Sequence, residues 1–426
     1  MKRKLNKGNK EINREESLYA KAWSKLKKNK PAMFGMFIIA VAAIVSILGG
    51  NIRPDESQHA NNTVPSLDKL SPGTEINHLL VRKDDETVEA GFFGRLFMGG
   101  SELQHKYFPY LGEVQFEGSQ VIIENFSKVA DKDYYQPDYT QFELAAVIYP
   151  LNYLRENNIV NNNDGTQTIY LLDSTSVTRS ISDMQEEVKS SNLITKKYWL
   201  GTDKSGRDFL SRLMAGTIVS LSVGFIAVAI SLFIGLLLGM LAGFYRGWVD
   251  NLIMYIVSVV WSVPALLILI SFMLVAGRGF TTLFVGIGII MWVDLARLVR
   301  GQVLSIREKE YIEAGRSLGF SDFRILFRHV LPNIVGPVIV QCANNFAIAI
   351  LLESGLSYLG IGVQIPMASW GVSITDHADY FNNPEYAFTA ILPGIFILLL
   401  VFAFMLLGNG LRDAFDSRSV VSSNAT

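Results

Sequence analysis

Cysteine and charged residues are both scarce in this chain of 426 residues. The single cysteine, Cys342, excludes an internal disulfide and a cysteine-rich metal site. Charged residues make up 18% of the chain and the formal net charge is −1, so we expect no basic surface for nucleic acid. Apolar residues make up 50%, which is far from the composition of a disordered chain.

Long apolar runs decide the class of protein, since about twenty apolar residues cross a bilayer as a helix. Six runs reach that length, over residues 32–50, 216–244, 251–277, 280–298, 333–352 and 387–408. They predict an all-α polytopic membrane protein with six transmembrane helices. A polar stretch precedes the first run, and no small-x-small cleavage pattern follows Gly49 and Gly50. We therefore expect an uncleaved anchor and not a signal peptide.

The distribution of charge predicts the orientation in the membrane. Residues 1–30 carry eleven Lys and Arg residues against three Glu, and basic residues beside a first span favour the cytoplasm. Residues 51–212 carry 24 acidic and 16 basic residues. We expect both termini to be cytoplasmic and residues 51–198 to lie outside.

The predicted outside segment has the pattern of a small α+β domain. Residues 121–123 and 168–172 read as short strands bounded by turn-forming residues, and residues 180–190 as one helix. The segment shows no metal-ligand cluster and no nucleophile constellation. Its sequence leaves its role open.

Residues 199–212 contain glycines at the spacing of a phosphate-binding loop. Gly201 and Gly206 match that spacing, but Arg207 and Asp208 replace the lysine and the magnesium-binding hydroxyl. An aspartate at this position would repel phosphate. We therefore predict no nucleotide or other cofactor on this chain, and any ATP that drives it must bind another subunit.

Residues 310–332, which we call the elbow, lie between two apolar runs and are too charged to cross a membrane. Gly319 can end a helix in the left-handed conformation, and Ser321 or Asp322 can cap the next helix. Pro332 is expected to stop or bend that second helix. The pattern predicts a compact polar surface suited to docking a soluble partner.

Polar and small residues inside the spans predict helix contacts or a pore. Small residues repeat every fourth position in the second span and indicate a helix–helix seam, within this subunit or with another: Ala227, Ser231, Gly235, Gly239 and Gly243. Pro264 should kink the third span. In the fifth span, Gln341, Asn344 and Asn345 face either other helices or a substrate path. Asp294 and Arg297 lie three residues apart and are candidates for an ion pair.

Four stretches of this chain resemble one family, the C-type permease subunits of oligopeptide and dipeptide ATP-binding cassette (ABC) importers. The elbow resembles the EAA loop of such importers through Glu313, Ala314, Gly315, Gly319, Leu331 and Pro332. Residues 199–212 resemble the signature LGTD-x-x-GRD through Gly201, Thr202, Asp203, Gly206, Arg207 and Asp208. Gly315 stands where Ala is usual, and His329, where Ile is common, is either a titratable switch or a solvated or capping histidine.

The other two stretches lie near the end of the chain. Residues 353–371 resemble the signature E-x-x-LSFLGLG-V-Q-x-P-x-x-SWG, and residues 407–416 resemble the closing motif of the family. Asn409 and Ser417 depart from that motif, which has Asp and Pro at these positions. Glu353 and Trp370, together with the three amides of the fifth span, become candidates for a gate or pore.

The resemblance implies the type I ABC importer permease fold in a bacterial plasma (inner) membrane. It implies a half-pore that is not itself an enzyme, with a B-type permease, two cytoplasmic ATPases and an extracytoplasmic peptide-binding protein as partners. The residues of the outer signature would form a hydrogen-bonded cap over a helix end or, as the weaker alternative, contact peptide. Nickel chelates or peptide antibiotics are alternative cargoes, and a membrane sensor is the rival function.

The patterns and the resemblance together divide the chain into five parts. They are a cytoplasmic N-terminal tail (1–31), transmembrane helix 1 (32–50), an extracytoplasmic insertion domain (51–198), a core permease domain with helices 2–6 (199–418) and a cytoplasmic C-terminal tail (419–426). The insertion departs from the family, in which this connection is usually much shorter.

Overall fold

The computed structural model describes residues 18–85, 91–92, 95, 100–128, 136–364 and 366–415. The helices in these ranges are α1 (Leu18–Lys28), α2 (Lys30–Ile52), α3 (Leu144–Ile148), α4 (Ile181–Glu187), α5 (Phe209–Tyr245), α6 (Gly247–Trp261), α7 (Ala265–Ala276), α8 (Phe280–Arg307), α9 (Glu310–Ser317), α10 (Asp322–Ile325), α11 (Leu331–Tyr358), α12 (Trp370–His377) and α13 (Ala387–Phe415). The strands are β1 (Thr74–Arg82), β2 (His105–Glu117), β3 (Gln120–Asn125), β4 (Tyr139–Glu143), β5 (Ile159–Asn161), β6 (Thr166–Tyr170), β7 (Ser176–Ser180) and β8 (Leu193–Tyr198).

The predicted spans correspond to helices of membrane-crossing length in the described ranges. Five helices qualify individually, and α6 with α7 forms a sixth candidate that is bent by 86°. The bend lies at Pro264, where the ring prevents continuous helical hydrogen bonding, as predicted. The chain is therefore a helical, multi-pass membrane protein.

Of the two outcomes expected at Pro332, a stop or a bend in the second helix of the elbow, the stop does not occur. Residues 322–358 run as one span in which α10, a π turn over Leu326–Val330 and α11 follow without a break. Pro332 lies in the first turn of α11, where a missing N–H costs little. The elbow is thus continuous with a transmembrane helix.

The N-terminal helix α1 packs against the start of α2 and the end of α13. Ala22 and Leu26 of α1 form a buried cluster with Ala32 of α2 and Ala414 of α13. The rest of the predicted N-terminal tail (residues 1–17), the end of the closing motif at Asp416 and the predicted tail 419–426 lie outside the described residues.

The predicted stripe of small residues is a seam between α5 and α8. A Cβ at Gly239 would lie 2.6 Å from the carbonyl oxygen of Ala296, and one at Gly243 would lie 2.8 Å from that of Arg300. The second helix of the seam also contributes a glycine, since Gly288 of α8 lies against Ile230 of α5. The two backbones approach so closely that no side chain fits between them, which confirms the seam within this subunit.

Residues 74–198 form an α+β unit between the first two membrane helices. An antiparallel five-stranded sheet has the order β4-β3-β2-β1-β8, and a smaller sheet has the order β5-β6-β7. Helices α3 and α4 cover one face of the large sheet around Leu79, Ile123 and Met184. Strands β3 and β6 and helix α4 match the strands and helix that the sequence predicts.

The other face of the large sheet packs on residues 53–73, which we call the linker. Leu67 and Leu70 of the linker bury against Ile76 and Tyr198 of the sheet. The His78 ring lies in the same layer, 5.7 Å from the Tyr107 ring, and its Nε2 lies 3.2 Å from the Tyr198 hydroxyl. Burial lowers the pKa of His78 to about 4.

We expect Gly239→Ala to destabilise the membrane core by about 1–3 kcal/mol, because the added methyl group overpacks the seam against backbone. Gly301→Ala in α8 is the matched control, since a Cβ there meets nothing within 4 Å. Thermal unfolding of the detergent-solubilised protein measures both. Equal unfolding midpoints for the two variants would show that the seam tolerates a side chain.

We expect the α+β unit to lose stability as the pH falls from 6.5 towards 4. The unfolded histidine binds a proton in this window whereas folded His78 stays neutral, so its stabilising contribution of about 3 kcal/mol is present above the window and fades through it. The protection factors of the β1 amides, which correct for the slower intrinsic exchange in acid, should therefore fall on acidification more than they do in His78→Gln. Identical pH profiles for wild type and variant would contradict this assignment.

Candidate coupling and gate sites

The turn of the elbow has the geometry that its sequence predicts. Gly319 has φ +77°, and the N–H groups of Phe320 and Gly319 donate to the carbonyls of Gly315 (3.0 Å) and Arg316 (2.9 Å). This pair of bonds is the Schellman arrangement that ends a helix at a left-handed residue. Ser321 then caps α10 by accepting from the Arg324 N–H at 3.4 Å.

One face of the elbow packs onto the membrane helices and the other is exposed. Ile312, Ile325 and Leu326 lie in one buried cluster with Met240 and Phe244 at the end of α5. Leu331 is half-buried against the same cluster, and the exposed side chains are Glu313, Ala314, Leu318, Phe323 and Pro332. Leu318 and Phe323 are 73% and 69% exposed, so the elbow presents apolar groups beside its charges.

Gly315 is the one EAA-like position that is buried in the elbow. A Cβ there would lie 3.3 Å from the Phe320 ring, so alanine would require that ring to shift. The ring of His329 stacks on the other side of Phe320, with centroids 5.9 Å apart. This packing explains why a glycine serves where the family usually has alanine.

Arginine side chains attach the elbow to the ends of α5 and α8. Arg316 lies over the Phe244 ring at 5.1 Å, and Arg307 donates to the Phe244 carbonyl. Arg246 at the end of α5 pairs with Glu308 at 2.5 Å. Arg316 thus joins the elbow to α5, and the Arg307 and Arg246 contacts join the ends of α5 and α8.

At the opposite end of α5, residues 201–208 form a hydrogen-bonded cap, which we call the outer cap. Asp203 accepts from the Arg207 guanidinium at 2.5 Å and from the N–H groups of Ser205 (2.8 Å) and Arg207 (3.0 Å). The Thr202 hydroxyl accepts from the Leu70 N–H at 2.8 Å and donates to the Leu67 carbonyl. These bonds join residues 201–208 to one another and to the linker.

The glycines with phosphate-loop spacing serve this cap. Gly201 and Gly206 have φ values of +70° and +73°, and a Cβ on either would collide with a carbonyl oxygen of the linker. Asp208 accepts from the Ser211 N–H at 2.7 Å and so occupies the N-terminal amides of α5 with its own carboxylate. Both glycines are needed for close contact with the linker.

Sequence reasoning missed three residues that connect the outer cap to its neighbours. Arg212 is buried and donates to the carbonyls of His59 (3.1 Å) and Pro366 (3.0 Å). Asp376 contacts Lys204 at 2.9 Å and Arg207 at 3.6 Å. The Asp55 N–H donates to the Ser211 hydroxyl at 2.9 Å. The sequence offered one signal for these residues: an arginine at the start of a membrane helix is energetically unfavourable unless it has polar partners.

Next to Asp376, His377 is buried at the end of α12. Its Nδ1 lies 2.7 Å from the Ser373 carbonyl, and its ring packs edge-on against Phe209 at 5.7 Å. Burial lowers the pKa of His377. The outer end of α5 is therefore held by polar contacts from the linker and from α12.

Residues 353–371, which we call the gate segment, fold back onto the N-terminal half of α5 and the C-terminal half of α11. Glu353 is fully buried and accepts from the hydroxyls of Ser369 (2.6 Å), Ser357 (2.9 Å) and Ser354 (3.2 Å). Trp370 donates its indole N–H to the Leu213 carbonyl at 2.9 Å. Both gate candidates therefore brace the gate segment against its neighbours and do not line an open path.

The amides of the fifth span face protein in this structure. Gln341 donates to Asn345 at 2.9 Å, one helical turn further along α11. The Asn344 side chain lies against Gly408 of α13, and Asn345 is buried. Asn344 is the amide that meets another helix, whereas the Gln341–Asn345 bond lies within α11 and Gln341 also borders a cavity with Arg412.

The charged residues at the inner half of α8 do not form the ion pair considered from the sequence. The guanidinium of Arg297 lies 3.8 Å from the Trp261 ring, and that of Arg300 contacts Asp250 at 2.5 Å. Asp294 is exposed and borders a cavity beside Trp261 and Pro264. Arg297 and Arg300 thus contact residues of α6, and not Asp294 of their own helix.

Comparison with known proteins identifies the family. A family model described as the inner membrane component of binding-protein-dependent transport systems matches residues 235–421, and one described as the N-terminal TM domain of oligopeptide transport permease C matches residues 17–72. The oligopeptide transport system permease protein OppC of Bacillus subtilis (strain 168) is 38% identical over 53% of this chain and 73% of its own length. The chain belongs to the oligopeptide and dipeptide permease family.

The names of other relatives in this family specify different peptides. The dipeptide permease DppC of Bacillus subtilis is 40% identical over 52% of this chain and 69% of its own length. The glutathione permease GsiD of Pectobacterium atrosepticum is 40% identical over 52% and 73%. A solved inward-facing MetNI methionine ABC transporter gives a TM-score of 0.40 at 18% identity, covering 49% of this chain and 97% of that one. The two family models leave residues 73–234 unmatched, which include the α+β unit.

We expect Asp203→Ala to destabilise the outer end by about 3 kcal/mol, because it leaves the buried Arg207 guanidinium without its nearest carboxylate. The double variant Asp203→Ala/Arg207→Met should recover part of that loss. Glu75→Ala, which breaks the exposed pair with Lys197, is the control and should cost under about 1 kcal/mol. Chemical unfolding of the purified protein compares them, and a single variant no worse than the control would contradict the role of the cap.

Proposed function

We propose that this chain forms half of the translocation path of an ATP-driven peptide importer with the type I permease fold. A second, B-type permease completes the path, two cytoplasmic ATPases supply the energy, and an extracytoplasmic binding protein delivers the peptide. ATP hydrolysis takes place on the ATPases. The names of the relatives above, which cover oligopeptides, dipeptides and glutathione, support a peptide cargo.

The observation that carries this proposal is the two-faced elbow. Its buried face joins the ends of α5 and α8, while its exposed face offers Glu313 between the apolar side chains of Leu318 and Phe323. Exposed aromatic and aliphatic side chains beside charges are typical of a protein interface. Movement of an ATPase against this face would pull on the two helices of the seam.

The two ends of α5 support the proposed orientation. The elbow packs on its C-terminal end and the outer cap on its N-terminal end, and 37 residues of helix span about 55 Å. The elbow and the α+β unit therefore lie at opposite ends of the membrane helices. With the basic N-terminus and the elbow in the cytoplasm, the α+β unit is extracytoplasmic.

The proposed division of labour follows the order of the chain. Residues 1–31 and 419–426 are cytoplasmic tails, helix 1 (32–50) is an anchor, and residues 199–418 form the core permease. The insertion 51–198 contributes to the surface that meets the binding protein. The gate segment closes the path from outside, with Glu353 and Trp370 as its braces, and its release opens the path.

We expect Glu313→Lys to abolish ATP-coupled peptide uptake while leaving the protein folded in the membrane, because this exposed side chain has a role only in docking. Asp379→Lys, the same charge change at an exposed residue outside both the elbow and residues 51–198, should leave uptake unchanged. Uptake of a labelled dipeptide into cells or proteoliposomes measures the effect.

Affinity purification in mild detergent tests the same proposal by composition. The wild-type protein should carry a second permease and two ATPases, and Glu313→Lys should retain the permease but lose the ATPases. Wild-type uptake by Glu313→Lys, or a preparation without any ATPase from wild type, would overturn the proposed coupling.

A further inference from the structure

A cleft of about 860 Å³ lies between the α+β unit and the linker. One wall is formed by the start of β2 with Lys106 and Tyr107, and the other by linker residues such as Asn61 and Asn62. Pro366 of the gate segment also lines the cleft. Pockets that hold compact ligands have volumes of roughly 300–1,000 Å³, so the cleft has room for a short peptide.

The base of the cleft is physically connected to the gate segment. Arg212 at the start of α5 donates to the carbonyl of His59, which lines the cleft, and to that of Pro366. Arg207 of the outer cap reaches the same wall, donating to the Asn61 side chain at 3.2 Å. One side chain, Arg212, thus joins a residue that lines the cleft to the gate segment.

The rim of the cleft carries charges of both signs. Lys83 and Lys106 supply ammonium groups, and Asp85 and Glu102 supply carboxylates. Among the residues that the structure describes, no salt bridge uses any of these four side chains. Exposed charges of opposite sign at one mouth are suited to a ligand that carries both an ammonium and a carboxylate group.

The interior of the cleft is suited to a peptide backbone. Tyr107 provides an aromatic wall, and Gln58, Asn61 and Asn62 provide amide side chains that can donate to and accept from peptide groups. The Tyr107 ring is fixed from behind by the edge of His78 at 5.7 Å and by the ammonium of Lys196 at 5.5 Å. The wall is therefore built on a rigid sheet.

We propose that this cleft is a peptide-binding site on the permease itself, which holds the cargo by its terminal charges directly beside the gate segment. The proposal rests on the proposed peptide import and adds a site to it. A peptide released by the binding protein would bind here before the gate segment opens. The α-carboxylate contacts the exposed Lys106, and the α-ammonium contacts Asp85 or Glu102.

Calorimetric titration of the purified transporter complex, without its binding protein, tests this site. The probe is trialanine, and its N-acetylated and C-amidated forms each lack one terminal charge. We expect trialanine to bind, and each blocked form to bind about tenfold more weakly because one charge-assisted contact is lost. Lys106→Glu should reduce the affinity for trialanine by a similar factor.

The matched control is Lys189→Glu, an exposed lysine of the same α+β unit that does not line the cleft. It should bind trialanine as the wild type does. Circular dichroism and complex assembly should be unchanged in both variants, since Lys106 and Lys189 are exposed.

Two results would overturn the site while leaving peptide import intact. One is unaltered trialanine affinity in Lys106→Glu, together with normal uptake by the wild type. The other is weaker affinity of Lys106→Glu for the binding protein with unchanged affinity for trialanine, which would make the cleft a protein-docking surface. Absence of peptide uptake by the wild type would instead contradict the proposed function.

Discussion

The close contact of α5 with α8 is the constraint on which the other sites depend. Carbonyl groups of α8 occupy the space where side chains of Gly235, Gly239 and Gly243 would stand, so the two helices have a single fixed register. In lipid, apolar side chains gain no hydrophobic free energy by moving from lipid to another helix. Such close packing therefore supplies the free energy of helix association. The elbow is attached to one end of this pair and the outer cap to the other. A fixed register allows a displacement at one end to reach the other end with little loss.

The outer end of the pair is held by polar contacts that apolar packing could not replace. Asp203, Arg207 and Arg212 are all buried, and each is surrounded by groups that match its charge or its donors. Removing one partner leaves an uncompensated buried charge, so the contacts break together or not at all.

Local signals predicted the elbow turn, the outer cap, the seam and the bend at Pro264, because each depends on residues within a few turns of one another. Gly319 and Ser321 specify the turn independently of the rest of the chain. The contacts of Arg212 with His59 and Pro366 span more than 150 residues, and no pattern in one sequence reveals them. The stop at Pro332 was predicted from the residue alone, and the π turn before it changed the outcome.

That π turn has a consequence for everything that follows it in the span. A π turn accommodates one additional residue, and each residue of an α-helix advances by about 100°. All side chains of α11 therefore point about 100° away from where an uninterrupted helix from α10 would place them. Of the three serines that donate to the Glu353 carboxylate, Ser354 and Ser357 lie on α11 itself, and Ser369 lies on the segment that folds back onto it. Loss of a single residue from Leu326–Val330 would therefore change the angle between the elbow and the Glu353 face of α11 by about 100°.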